Sequence, residues 1–148
     1  MKSYWLGFWA FAIILFASCD KSDDNTTVTA VDFKSPAFLV GNWKMVGSYQ
    51  SDGGPQYYVD VSDGEMLKFS GDGTFTSSRY PECSEGKYSV DDDKLTFTYN
   101  CEAFNARFPE LDGKFVYTIG NDSGKLILNP VTLFCVEGCS YYYKKISK

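Results

Sequence analysis

From residue 43 onward, short stretches of alternating apolar and polar residues are separated by clusters of Gly, Asp, Asn and Ser. Alternation with a period of two is typical of a strand with one buried face, and such clusters are typical of turns. The pattern predicts eight strands, and it allows one short turn of helix near residues 35–40. The predicted strands are 43–50, 65–69, 74–79, 86–90, 95–100, 114–119, 125–128 and 140–146.

The alternation also assigns one apolar face to each strand. Eight antiparallel strands with one apolar face are well accommodated by a closed barrel, because closure removes the free sheet edges. The predicted fold class is therefore all-β, an eight-stranded antiparallel up-and-down barrel. The side chains expected to point inward are Leu67, Phe69, Phe75, Tyr88, Val90, Leu95, Phe97, Tyr99, Phe115, Tyr117 and Ile119.

Composition excludes several kinds of function. The formal net charge is −5, whereas nucleic-acid binding needs clustered basic surface, so no nucleic-acid partner is expected. The chain has no histidine, which excludes Cys/His zinc sites and Ser-His-Asp triads. Asp91, Asp92 and Asp93 share one tight turn and lack the staggered ligand spacing of a calcium loop. No spacing singles out a catalytic pair of acids, so we expect no enzymatic activity, cofactor or metal.

The first 18 residues have the pattern of a secretion signal. Lys2 precedes an apolar run that is too short for a mature transmembrane helix, which needs roughly 20 residues. The end of this run, Phe16-Ala17-Ser18-Cys19, resembles the lipobox of bacterial lipoproteins, with Phe16 where Leu is usual. The resemblance implies cleavage before Cys19 and a membrane anchor of lipid on Cys19. An ordinary signal peptide with an incidental cysteine, or a retained anchor, is the alternative.

The residues after Cys19 predict a tether and a location. Residues 19–34 are rich in Asp, Ser, Thr and Asn, a composition typical of a disordered segment. The predicted organisation is a signal peptide (1–18), a tether (19–34) and one barrel domain (35–148). The sequence KSDD at 21–24 resembles the export signal of surface lipoproteins in Bacteroidota-type bacteria. This implies an outer-membrane lipoprotein at the cell surface. The alternative is a polar tether whose acids occur there by chance, on a lipoprotein that faces the periplasm.

An ordered set of motifs resembles one protein family. Residues 39–44 (LVGNWK) are similar to the Gly-x-Trp opening of lipocalins, and residues 67–75 (LKFSGDGTF) match the L-x-F-x-x-D-G-T-F signature of bacterial lipocalin-like lipoproteins. The hairpin at 86–97 and the final YYYKK segment are similar to that family as well. The resemblance implies a lipocalin-like barrel with Trp43 as a structural plug at its closed end. It implies no ligand, because one fold hosts many functions.

The lengths of the connections predict which end of the barrel is open. In an up-and-down barrel, alternate connections lie at the same end, and here tight turns alternate with longer loops. All tight turns therefore fall at one end, the base, and all long loops at the other end, the mouth. The chain enters the first strand at the base, so lipid on Cys19 would direct the mouth away from the membrane.

Four cysteines remain after Cys19, and all of them lie at the predicted mouth. In an exported chain they are expected to form disulfides. If Val90 pairs with Leu95, Cys83 lies nearly opposite Cys101, and a second bridge would join Cys135 to Cys139. Crossed pairings stay open because both pairs lie at one end.

The mouth also carries the candidate ligand-binding residues. Arg79 shares strand parity with Phe75 and is expected to point inward, either as a clamp for a carboxylate or phosphate or in an ion pair with a rim acid such as Glu82, Glu85 or Glu102. The loop aromatics either line a ligand site or fold back to cap the core. The candidates are Arg79, Tyr57, Tyr58, Phe104, Phe108 and Phe134.

These observations predict a membrane-anchored lipocalin-like lipoprotein whose mouth binds a small amphipathic ligand or a partner protein. The alternative is a structural or accessory lipoprotein whose filled barrel acts as a docking surface. The interior volume discriminates between them. A cavity of roughly 300 Å³ or more favours a ligand, and a core filled by side chains favours docking.

Overall fold

A computed structural model describes residues 32–132 and 139–147, and within these ranges one antiparallel sheet contains all the strands. Two short helices and two 3₁₀ turns lie between the strands. In chain order the elements are α1 (Pro36–Leu39), β1 (Gly41–Gln50), β2 (Tyr57–Asp60), β3 (Met66–Phe69), β4 (Thr74–Ser77), a 3₁₀ turn (Pro81–Cys83), β5 (Glu85–Asp91), β6 (Lys94–Tyr99), α2 (Glu102–Arg107), a 3₁₀ turn (Pro109–Leu111), β7 (Lys114–Asp122), β8 (Lys125–Pro130) and β9 (Ser140–Ser147).

The sheet closes on itself to form an eight-stranded barrel. From β3 to β9 each strand pairs with the next one along the chain, and β1 pairs with both β3 and β9. The predicted fold class is confirmed. Each of the eight predicted strands is present, with ends that differ from the prediction by at most three residues.

Side chains fill the barrel interior as the alternation predicted. Leu67, Phe69 and Phe75 are buried, and so are the inward faces of β6 and β7. Tyr88 and Val90 are partly buried and pack against this core. The interior rings contact one another closely; the centroids of Phe75 and Phe97, for example, are 4.6 Å apart.

The base is closed by α1 and Trp43. Trp43 is fully buried, and its Nε1 donates a hydrogen bond to the carbonyl oxygen of Leu39 at 2.6 Å. Lys145 Nζ lies 4.9 Å from the centre of the Trp43 ring and donates to the carbonyl oxygen of Phe38 at 2.7 Å. Lys34, which the sequence assigns to the tether, forms an ion pair of 3.2 Å with Asp92 in the β5–β6 turn. These contacts place the entry of the described chain at the base.

A β-bulge changes which side chains point into the barrel in the second half of β1. The pairing of β1 with β9 shifts register between Met45 and Gly47, so Val46 is an extra residue. Met45 packs against the core, and beyond the bulge Ser48 is buried. Because facing alternates along a strand, Gly47 and Tyr49 lie on the outer face.

Two segments that were predicted to be loops contain short secondary-structure elements. Residues 51–64 were predicted as one long loop, but they contain β2. Residues 101–113 were also predicted as a loop, but they contain α2. Both elements are too short for periodicity to identify them: β2 has four residues without alternation, and α2 has less than two turns.

Both corrected segments lie at the mouth, and the tight turns at the base are present as predicted. Among the helices described, none has the length and apolar character needed to cross a bilayer.

Candidate functional site at the barrel mouth

Arg79 lies at the centre of a polar cluster in the upper part of the barrel. Its Nε is 2.7 Å from Glu65 Oε2, and one of its terminal nitrogens donates to the Tyr117 hydroxyl at 3.1 Å. The guanidinium carbon lies 4.5 Å from the centre of the Tyr141 ring. Tyr143 completes the cluster by donating its hydroxyl hydrogen to Glu65.

The ion-pair partner of Arg79 corrects the prediction, because it is Glu65 and none of the three rim acids. The register of β3 with β4 explains this. Leu67 pairs with Ser77, so the same antiparallel register extended by two residues sets Glu65 opposite Arg79. Met66 N–H donates to the Ser78 hydroxyl at 2.9 Å and holds the two segments together beyond the last strand pair. The tight turn between the two strands was the signal in the sequence that identifies this partner.

Burial and charge set the protonation of the cluster. Burial acts to lower the pKa of the Arg79 guanidinium, but the negative charge of Glu65 acts against it, and the pKa is raised above its usual value. Burial raises the pKa of the Tyr143 hydroxyl well above its usual value, and the charge of Glu65 raises it further. Burial also raises the pKa of Tyr117 and of Tyr99. The cluster therefore holds a permanent cation beside hydroxyls that stay protonated.

The cluster leaves almost no free space among the described residues. The cavity beside it has a volume of about 10 Å³, which is the space of about one water molecule. The side chain of Arg79 is 22% exposed and that of Glu65 is 13% exposed. The barrel interior is therefore filled by its own side chains, as the docking alternative requires.

The predicted mouth aromatics divide into two groups. Phe104 is 1% exposed and stacks on Tyr99 with a centroid distance of 4.3 Å. Phe108 is half-buried and packs against Phe104 and Phe115. These two side chains cap the core, which is the second of the two alternatives that the sequence left open, and they do not form an exposed ligand site.

Tyr57 and Tyr58 remain exposed, with 46% and 37% of their surfaces accessible. Phe134 lies outside the described residues.

One disulfide ties the mouth loops together. Cys83 is bonded to Cys101, with Cα atoms 5.8 Å apart. It joins the 3₁₀ turn after β4 to the residue that precedes α2. Cys139 is also disulfide-bonded, and Cys135 lies outside the described residues. Arg107 forms an exposed ion pair of 3.0 Å with Glu82 across the same two loops.

A cluster of tyrosines on the outer wall was missed by the sequence reasoning. The rings of Tyr49, Tyr58 and Tyr142 lie with centroids 5.3 to 5.6 Å apart. Tyr58 lies across Gly47, because a Cβ at that position would come within 2.0 Å of the Tyr58 hydroxyl. The cluster depends on the bulge at Val46, because the bulge turns Tyr49 outward. No pattern of residues in the sequence predicts this bulge.

Among the residues described, two shallow grooves lie on the outer wall. Grooves of about 360 and 320 Å³ lie on either side of β4 and share Thr76. Both are lined by a mixture of polar and apolar side chains, Phe75 in one and Met66 in the other among them. Within the described part of the chain, no three Cys, Asp or Glu side chains are close enough together to hold a metal ion.

Comparisons with known proteins identify one family. The model of the lipocalin-like domain family matches residues 39–128. The structure is similar to that of a lipocalin-like protein from Bacteroides uniformis, with a TM-score of 0.48, 17% identity and coverage of 74% of this chain and 99% of that one. It is also similar to an uncharacterized protein from Bacteroides eggerthii, with a TM-score of 0.36, 18% identity and coverage of 72% and 98%. No curated protein matches the chain.

Proposed function

Because the chain belongs to the lipocalin-like domain family, we propose that it is a membrane-anchored, non-enzymatic lipoprotein that docks a partner protein at its mouth. The filled barrel is the observation that carries this proposal, since the interior cavity of about 10 Å³ has no room for a ligand. Small-molecule pockets usually have volumes of roughly 300 Å³ or more. The binding surface is therefore on the outside of the mouth.

The mouth is suited to docking because its loops are tied in place. The Cys83–Cys101 disulfide and the Arg107–Glu82 ion pair join two neighbouring loops. Loops that are already ordered lose less conformational entropy when a partner binds. Tyr57 and Tyr58, in the connection between β1 and β3, supply exposed aromatic surface, and tyrosine is enriched in protein interfaces.

The anchor rests on the N-terminal motif, which lies outside the described residues. Lipid on Cys19 would hold the protein in the outer membrane, at the cell surface or on the periplasmic face. The contact of Lys34 with the base supports this arrangement, because a tether that leaves from the base directs the mouth away from the membrane. Metabolic labelling with an alkyne fatty acid should mark the wild-type protein and not a Cys19→Ser variant. A labelled variant would contradict the anchor.

Site-specific photo-crosslinking in the native host cell tests the docking role. A photoreactive amino acid at Tyr57 should give one reproducible crosslinked protein, whereas the same amino acid at Lys94, an exposed residue at the base, should not. Crosslinks that are absent at Tyr57, or equal at the two positions, would contradict docking at the mouth.

A small amphipathic ligand is the second candidate, and the partial exposure of Arg79 favours it. A guanidinium that is still 22% exposed at the mouth could hold the anionic head of such a molecule. Native mass spectrometry on protein purified from its own host should then show a co-purified molecule that an Arg79→Met variant loses. Reproducible absence of such a molecule would exclude this candidate and leave the docking role.

A further inference from the structure

Strand β2 has a free edge. It pairs with β1 on one side, and among residues 32–132 and 139–147 no strand lies on its other side. Every other described strand has a neighbour on both sides. A free edge is a template for an added strand, because its backbone amides and carbonyls have no partner in the sheet.

The register identifies the backbone groups that face outward from this edge. Val61 N–H donates to the carbonyl oxygen of Val46 at 2.9 Å. In an antiparallel pair, every second residue of a strand directs its backbone N–H and C=O toward the same neighbour. The backbone groups of Val59 and Tyr57 therefore also face β1. Tyr58 and Asp60 therefore direct their amide and carbonyl groups away from β1, toward the free edge of β2.

The chain segment that contains this edge is acidic. Residues 45–67 contain four acids and no Lys or Arg, and of these acids only Glu65 has a basic partner among the described residues. Two copies paired through this edge would bring like charges together, which is unfavourable. A segment with basic side chains would instead be attracted. Exposed Tyr57 and Tyr58 offer contacts for the side chains of an added strand.

We propose that β2 is a docking edge for an extended segment of a partner protein, and that this segment carries Lys or Arg side chains. The segment adds to the sheet as a further strand, hydrogen-bonded to the backbone of Tyr58 and Asp60. Strand addition obtains its affinity from main-chain hydrogen bonds and its specificity from alternate side chains. This inference rests on the proposed docking function and specifies where and how docking occurs.

Selection of random dodecapeptides on the immobilised mature chain tests the edge directly. The selected peptides should be rich in Lys or Arg and in residues with high strand propensity. Hydrogen exchange should show that they protect the Tyr58 and Asp60 amides. Methylation of alternate backbone nitrogens in the peptide should weaken binding at least about tenfold, since each lost hydrogen bond raises the dissociation constant.

A charge-reversal variant with a matched control completes the test. Asp60→Lys should weaken binding of the selected peptides about tenfold, a loss typical of a close charge pair. Asp91→Lys makes the same change on β5, far from this edge, and should leave binding unchanged. A thermal melt of each variant confirms that it is folded.

The proposal is overturned if no peptide is selected, if the selected peptides are acidic, or if the Tyr58 and Asp60 amides stay unprotected. A dimer in solution that Asp60→Lys disrupts would also overturn it, because the edge would then pair with a second copy. If these tests fail while Tyr57 still crosslinks to a partner, docking at the mouth stands and only the strand addition is wrong.

Discussion

Arg79 and Glu65 show how a single pair can decide the chemistry of a barrel interior. Each charge needs the other, because a charged group removed from water without a partner costs several kcal/mol. Tyr143 and Tyr117 supply further hydrogen bonds to the pair. The interior thus holds one satisfied ionic network in place of an empty ligand cavity.

Removing Arg79 should therefore destabilise the protein strongly. We expect Arg79→Met to lower the free energy of unfolding by about 3 kcal/mol, since it leaves Glu65 without its cation. Urea denaturation measures this. Arg107→Met is the matched control, because it removes an exposed ion pair with Glu82 and should change stability by at most about 1 kcal/mol. Equal losses in the two variants would contradict the role assigned to Arg79.

The buried tyrosines should make stability fall at high pH. The pKa values of Tyr143, Tyr117 and Tyr99 are raised in the folded state, whereas tyrosine in the unfolded chain titrates near pH 10. Above about pH 10 the unfolded chain releases protons that the folded protein retains, so unfolding becomes more favourable. Each such tyrosine contributes a slope of up to about 1.4 kcal/mol per pH unit.

Urea denaturation between pH 8 and 11 measures this slope. We expect Tyr143→Phe to make it shallower, whereas the matched control Tyr57→Phe, at an exposed position, should keep the wild-type slope. A stability that stays level up to pH 11 would show that the tyrosines are not buried in this way.

The packing of β5 depends on a close approach between its backbone at Gly86 and the neighbouring strand β6. A Cβ at Gly86 would lie 2.2 Å from the carbonyl oxygen of Thr98 and 2.8 Å from the Phe75 ring. Only glycine lets β5 pair with β6 while Phe75 fills the core beneath it. Gly47 has a different role, because the atom that a Cβ would meet there is the far end of the flexible Tyr58 side chain.

Gly86→Ala should cost about 3 kcal/mol, because the backbone of β6 has to move to relieve the overlap. Thermal unfolding of the variant measures the loss. Gly71→Ala is the control, since a Cβ at that turn position meets nothing within 4 Å. If the two substitutions have the same small effect, the strands are not packed as closely as described.

The closure of the barrel and the filling of its interior depend on all the strands together. The barrel closes because β1 reaches both β3 and β9. It is filled because its strands carry large inward residues, with aromatic rings in contact from Phe69 at the base to Phe104 at the mouth. This filling favours binding on the outer surface of the barrel over transport of a ligand inside it.

A large-to-small substitution in the core tests the filling. We expect the wild-type protein to show no saturable binding of a fluorescent fatty acid. Phe97→Ala should lower the free energy of unfolding by about 3–5 kcal/mol, because it leaves a cavity among the rings of the core. Saturable binding by the wild type would contradict the filled interior and favour a small ligand. A loss under about 1 kcal/mol in Phe97→Ala would mean that the ring is not tightly packed.

The eight predicted strands and their inward faces follow from the sequence alone, because alternation and turn residues are local signals. The position of Trp43 at the base was implied by the resemblance to lipocalins. The assignment of long loops to one end also follows, since parity requires only the order of the strands. The same reasoning left the role of Phe104 open, because a loop aromatic can line a site or cap a core, and only packing selects between the two.

Only the tertiary structure decided the features on which the proposed function depends. The bulge at Val46 turns Tyr49 outward, and β2 is left with a free edge. Each of these results from the pairing of segments that are distant in sequence or from one inserted residue. Residue patterns determine which side of a strand is buried, but the partner across the sheet depends on how the whole barrel closes.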